Sequence, residues 1–413
     1  MANVIWRGDA VKTAQVDSVT PANVNIGNTF TCTINGKSIT VTATAGTVAN
    51  VTGLLYTACA ASTIPEFAEI TWADMTTYLK ATAKTAGKPF TLTASATGGT
   101  ATNTRAAVTA NSGPNDASLA ANWDRAGSAS LPQAADDVFI QQGSASLLYG
   151  LEALSAVTVA SLLIDCDTFS GSIGLPIINS DSSSGLYYEY RPQYFKLGIT
   201  ALNVRGSAGS QRLKIDGSSV QTTLNILGTG RSPDSQSALL WKGTHASNVV
   251  NVQGGSVGIA ELPGEVATIA TLRVTGDAAV FCGSGCTLTT LNQNGSGSSL
   301  IVNSAATTLT KSDGTTELRG SGAYTTIETT GGTLTYKSTG TITSLYAGDG
   351  ATVDFTADIR SRTVTTGYLY AGCTVLDDFR TVTWTNPIQV LKCGLEDITL
   401  RLGQDISLVP ASI

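Results

Sequence analysis

The chain has 413 residues, a formal net charge of −6, 42% hydrophobic residues and only 13% charged ones. That acidic balance argues against a nucleic-acid backbone as a partner, and no apolar run is long enough to span a membrane as a helix. Charged residues stand at about half the ~25% of an ordinary domain, while Thr, Ser and 43 Gly fill the polar positions, a composition that suits pleated sheet and is poor in helix formers.

The segment from Met1 to Asp9 has no basic stretch ahead of an apolar one, so no Sec signal is expected and assembly inside the producing cell is. Residues 1–97 read as a small α+β module. Thr29–Ile34 and Lys37–Thr42 alternate apolar and polar side chains around Asn35 and Gly36, the residue pair that a type I′ hairpin turn requires. Val48, Val51, Leu55 and Ala58 recur at helical spacing and predict a short helix over 47–61, ended before Pro65. Strands are expected at 68–72, 78–83 and 90–94, giving an open sheet with one helix on a face. Residues 98–134 read as a linker followed by the leading cap of the next unit. The linker, 98–118, is Gly, Thr, Ala, Asn and Ser around Gly113 and Pro114.

From 135 to about 385 a short phrase recurs: Thr or Ala, then Leu, Ile or Val, then a polar stretch and often Gly. Its anchors are Leu162, Leu202, Leu224, Val250, Leu272, Leu291, Leu309, Ile327, Leu345 and Val364, and the last five steps are 19, 18, 18, 18 and 19 residues. A fixed period without helical spacing inside it is the signature of a β-solenoid. The expected fold is therefore mainly β, a small α+β N-terminal module followed by a single-stranded β-helix of about ten coils, ~50 Å long at ~4.8 Å per coil. The first repeat step, from Leu162 to Leu202, holds an insertion at 180–196 rich in aromatics. Residues 386–413 alternate again and read as a C-terminal cap or interface strands.

Two stretches carry a resemblance. The string FTCTINGKSITVTATAGTVANVTGLL, with its N-G-K turn and T-A-T-A-G lead into a helix, and the later T-A-G-K-P-F-T turn at Thr85 to Thr91 resemble a module of tailed-phage virion proteins. Asn122 and Trp123, Pro132, and Asp136, Asp137 and Val138 resemble the start of β-helix regions in phage spikes and bacterial surface proteins. There a Trp would close the open end of the stack. The resemblance implies a virion-located, non-enzymatic structural protein that docks to head or tail and projects its solenoid as decoration or spike. Its partners would be other virion proteins, further copies of itself as a trimer, and host surface glycans. A receptor-binding tailspike or fibre, with or without polysaccharide depolymerase activity, and a bacterial surface adhesin are the alternatives.

Candidate chemistry is sparse, and no metal site or cofactor is expected. Glycosidic-bond chemistry calls for two carboxylates roughly 5–9 Å apart with separated pKa values. The acid pairs are Asp165 with Asp167, Asp136 with Asp137, Asp377 with Asp378, and Glu396 with Asp397. The insertion offers Tyr187, Tyr188, Tyr190, Arg191, Tyr194 and Phe195, as a docking or covering patch or a sugar-stacking platform. His245 is the one histidine and reads as a turn residue. The seven cysteines fit neither a disulfide framework nor a zinc site and read as buried small apolar groups. Arg7, Gly8 and Asp9 form a chance tripeptide.

Overall fold

The computed structural model describes residues 2–181, 185–233, 236–404 and 406–410. Met1, residues 182–184 of the insertion and 411–413 of the last segment lie outside the described residues. Two separate hydrophobic cores organise the chain, one in the N-terminal module and one running the length of a β-solenoid.

The module contains two antiparallel sheets. One has the order Ile70–Asp74, Leu79–Ala83, Val16–Ala22, Thr102–Thr109, and the other Lys37–Thr42, Thr29–Ile34, Thr93–Thr97. The expected hairpin turn is present, with Asn35 and Gly36 at φ 49° and 74°. The helix Val48–Ala60 starts where the Thr47 hydroxyl accepts the Asn50 N–H, and it buries Val51, Leu55 and Cys59 in the module core.

Four expectations change here. The one open sheet is two, because Val16–Ala22, not expected as a strand, takes Leu79–Ala83 and Thr102–Thr109 as partners while the hairpin pairs with Thr93–Thr97. The 68–72 strand begins at Ile70, because Pro65 starts a short helix, Pro65–Ala68. The 90–94 strand moves to Thr93–Thr97, because the buried Gln15 side chain pairs with both the N–H and the C=O of Phe90, at 3.1 and 3.0 Å. Within the supposed linker, Thr102–Thr109 is an edge strand, antiparallel to Val16–Ala22. Its side chains face mostly outward, so it lacks apolar alternation. Arg105 anchors it by forking onto the fully buried Asp17 at 2.9 and 2.8 Å.

The solenoid begins earlier than the repeat suggests. Asn3–Trp6 pairs in parallel with Asp137–Ile140 and antiparallel with Trp123–Arg125, so the chain starts in the rod and then leaves it to build the module. From there the rod makes about 13 turns rather than ten, ~60 Å at the usual strand spacing. Most coils give one strand to each of two parallel sheets. The segments read as a C-terminal cap continue the stack: Ile388–Val390 lies on Tyr368 and Leu369, Thr399–Arg401 on Thr374–Leu376, and Leu408–Pro410 on Ile388–Val390.

The anchors from Leu162 to Leu345 stack directly on one another and are fully buried. The row extends back to Val138 and Val4. It departs from the reading at its end. Leu345 stacks on Gly367, and Val364 stacks one inward position away, on Ile342. The missing side chain is replaced by an indole, since a Cβ on Gly367 would lie 2.6 Å from the Trp384 ring.

A lysine sits inside this apolar rod. Lys311 is fully buried, and its Nζ donates to the carbonyls of Asp313 and Gly314, both at 2.6 Å. Burial pushes its pKa down from the ordinary 10.5 to about 8, and a neutral amine still supplies the two N–H donors. The folded pKa lies below the unfolded one, so the cost of burying the charge is full below pH 8 and fades as pH rises towards 10.5. A shift of this size corresponds to roughly 3 kcal/mol. Relative to Lys311→Met, the unsubstituted chain should therefore gain stability in urea melts between pH 7.5 and pH 10. A difference that stays flat across that window would show that the ammonium is not desolvated.

Candidate functional site

The aromatic insertion folds back onto the module. Ile178–Asp181 and Gly185–Tyr188 form a hairpin, and residues in it and just after it reach Glu69, which follows the Pro65–Ala68 helix. Glu69 is buried and accepts from Tyr187, Tyr190 and Arg191, and it forms an ion pair with Lys88 at 2.7 Å. Arg191 is buried too. It donates to Glu189 at 2.9 Å and to the Pro89 carbonyl at 2.8 Å, and its guanidinium lies 4.3 Å from the Tyr190 ring centroid. Burial works against the Arg191 charge, but Tyr190, Glu69 and Glu189 together hold its pKa above the usual guanidinium range. Burial also pushes the Tyr190 phenol up. Tyr190 packs against the module core while Phe195 is part of the solenoid core. The insertion is thus a clamp joining the two.

This placement separates the six named residues. Tyr187, Arg191, Tyr194 and Phe195 are buried and Tyr190 is half-buried, whereas Tyr188 is 76% exposed. Only Tyr188 has the access that a sugar-stacking platform needs.

Most of these acids hold neighbouring segments together, while Asp377 and Asp397 bond within their own turns and Glu396 is exposed at the surface. Asp165 is buried and ion-paired with Arg205 on the next coil at 2.8 Å. Asp167 accepts the N–H groups of Ala208 and Ser207, at 3.0 and 2.8 Å, which hold its carboxyl below the usual range. Asp136 takes Arg125 at 2.7 Å and the Ala2 N–H at 3.0 Å, and Arg125 first among these causes lowers its pKa. Asp137 accepts from Ser161. Asp377 is fully buried on the Thr381 and Val382 N–H groups, Asp378 pairs with Arg401, and Asp397 accepts the Gly394 N–H. A general acid needs a carboxyl pushed up towards neutrality, and the shifts seen at Asp136 and Asp167 run the other way.

His245 accepts the Ser247 N–H through Nδ1 and sits in a turn. Arg7 is held by Asp124 at 3.0 Å. Six cysteines are buried, Cys393 is half-buried, and all seven are free thiols. No group of three or more His, Cys, Asp or Glu that could hold a metal occurs among the described residues.

Among the described residues the rod carries several grooves, one of about 390 Å³ beside Arg380, Trp384 and Gln404, and two others are lined by several acidic side chains. The larger of these two, about 540 Å³, lies between Lys196, Asp216, Lys242 and Glu265. Its charges face one another: the register alternates Lys196, Asp216 and Lys242, and Lys242 Nζ lies 3.9 Å from both Asp216 and Glu265. The smaller, about 220 Å³, is lined by Glu328, Thr330, Tyr346, Asp349 and Tyr370 among others. Neither Glu328 nor Asp349 forms an ion pair among the described residues. Beside the groove Tyr346 stacks on Tyr368, with ring centroids 4.5 Å apart and planes 7° from parallel. This cluster was not picked out from the sequence, yet a signal was there. Tyr346 follows its anchor, Leu345, and Tyr368 and Tyr370 recur one coil later around Gly367.

No family model, no curated protein and no solved structure matches this chain.

Proposed function

We propose that the chain is a non-enzymatic structural protein of a tailed-phage particle, with the α+β module at the particle and the solenoid projecting from it as decoration or spike. The clamp at Glu69 and Arg191 is the observation that carries this reading. It locks module and rod together through buried charge pairs and two cores, the construction that a stiff projecting element requires. Parallel ladders satisfy the backbone along the rod, and its apolar interior contributes ~25 cal/mol per Å² buried. The engagement of Asp136, Asp137, Asp165, Asp167 and Asp378 in bonds to neighbouring segments supports a mechanical role over hydrolysis.

Cryo-electron microscopy and immunogold labelling of phage particles from the source culture test the location. Density for the rod on the capsid lattice or the tail is expected, and a particle without it overturns the proposal. Catalysis is tested separately by incubating the purified chain with bacterial capsular polysaccharide and counting new reducing ends. None should form. Asp165→Asn should cost about 1 kcal/mol or less, because its partner Arg205 is half exposed, and Asp167→Asn about as little, because the amide oxygen still accepts the Ser207 and Ala208 N–H groups. Reducing ends that vanish in either variant would establish the depolymerase instead.

A further inference from the structure

The outward row of one sheet changes character along the rod. It starts as an amide ladder, Asn203, Asn225 and Asn251, hydrogen-bonded coil to coil at 3.1 and 3.0 Å. Further along the same row come Glu328, Tyr346 and Tyr368, in successive coils. Tyr370, two residues after Tyr368, shares that face. It lies close against the chain because position 348 is glycine: a Cβ there would stand 2.8 Å from the Tyr370 Cβ. The turn that follows puts Asp349 at φ 48° and leaves its side chain exposed at the groove rim. Beside the row runs a column of hydroxyls, Thr290, Thr308, Thr326, Ser344 and Thr366, in register.

We propose that the groove between Glu328, Tyr346, Asp349 and Tyr370 is a binding subsite for one pyranose unit of a neutral glycan. The chemistry fits on three counts. Tyrosine rings offer apolar surface to the C–H face of a sugar and a hydroxyl at the edge. Carboxylates free of ion pairs accept the O–H groups of a polyol in charge-assisted hydrogen bonds. The hydroxyl column continues the polar track along the rod, which suits a polymer of repeating units. Burial, with Tyr368 and Tyr370 close by, pushes the Tyr346 phenol up, so it stays a neutral donor. The two carboxylates repel uronic and sialic acids, and this sets the class as neutral. The self-paired charges of the larger groove supply no such free acceptors. The inference rests on the reading of the rod as a projecting spike and names the surface by which it would attach.

The experiment titrates the full chain with glucan, mannan and galactan hexasaccharides, with oligogalacturonate as the anionic control and tetramethylammonium as a cationic one. Tyrosine fluorescence and calorimetry are the readouts. At least one neutral hexasaccharide should bind with Kd on the order of 1 mM or tighter. Tyr370→Ala and Glu328→Gln should each weaken it tenfold or more with an unchanged thermal transition, and Tyr188→Ala should leave it alone. The proposal is overturned if no neutral sugar binds, if both groove variants bind as before, or if oligogalacturonate binds equally well. Binding of tetramethylammonium without sugar would make the groove a cation box and also overturn it. Particle labelling reads location and titration reads binding, so failure of one reading is distinguishable from failure of the other.

Discussion

Arg191→Ala is expected to destabilise the protein by about 3–5 kcal/mol, the range for breaking one partner out of a buried charge network. The substitution leaves Glu189 without its guanidinium and Glu69 with Lys88 as its remaining cation beside the tyrosine hydroxyls, and both carboxylates stay nearly inaccessible. It also removes a cation lying over Tyr190 and the donor to the Pro89 carbonyl. Because these contacts join two cores, the loss should be visible as uncoupling as well as weakening. Calorimetry of the unsubstituted chain should show the module and its neighbouring coils melting together, and the variant should show the module melting first. Proteolysis should then cut between module and rod. The quadruple variant Glu69→Gln, Lys88→Met, Glu189→Gln, Arg191→Met removes all four charges of the network and should recover part of the stability. A cost under about 1 kcal/mol for Arg191→Ala, with a single transition retained, would mean that the clamp does not couple the two units.

The clamp was half legible. Five tyrosine and phenylalanine residues with an arginine in one insertion announce a contact surface, but the partner, Glu69, lies more than 100 residues away in a sequence with no pattern to link them. The repeat was legible from Leu162 to Leu345 because each inward position must be filled at every coil, which fixes both residue type and spacing. It misled at Val364, a branched residue at the neighbouring inward position opposite Ile342, where the true member of the row is a glycine covered by Trp384. Coils at both ends were missed for a related reason. Asn3–Trp6 is separated from its partner Asp137–Ile140 by the whole module, and the last coils shorten their strands to three residues. A strand such as Thr102–Thr109, held by Arg105 on Asp17 instead of by an apolar face, leaves almost no periodic trace. The acid pairs were visible as residues, but their engagement with coil turns depends on the register of the stack.

Trp123→Ala should be the most damaging substitution at the leading end of the rod. The Trp123 ring meets Trp6 edge-on at 4.8 Å and stacks on Phe195 at 6.4 Å, and its Nε1 donates to the Ala117 carbonyl at 2.9 Å. Losing a buried indole costs about 3–5 kcal/mol, and the Ala117 carbonyl left without its donor adds about 1 kcal/mol or more. Trp123–Arg125 runs antiparallel to Asn3–Trp6, and Ser128–Ala129 pairs on it in turn, which ends the parallel stack at that side. Loosening this cover bares Asn3–Trp6, which pairs with Asp137–Ile140 on its other side, and a bared strand edge templates pairing with other chains. Leu291→Ala, in mid-rod and equally buried, supplies the comparison. It should cost a similar 3–5 kcal/mol but leave the end closed. Light scattering at matched stability should therefore rise with time for Trp123→Ala and stay low for Leu291→Ala. Equal aggregation in both would assign the effect to lost stability alone and deny Trp123 its role as the closure of the solenoid.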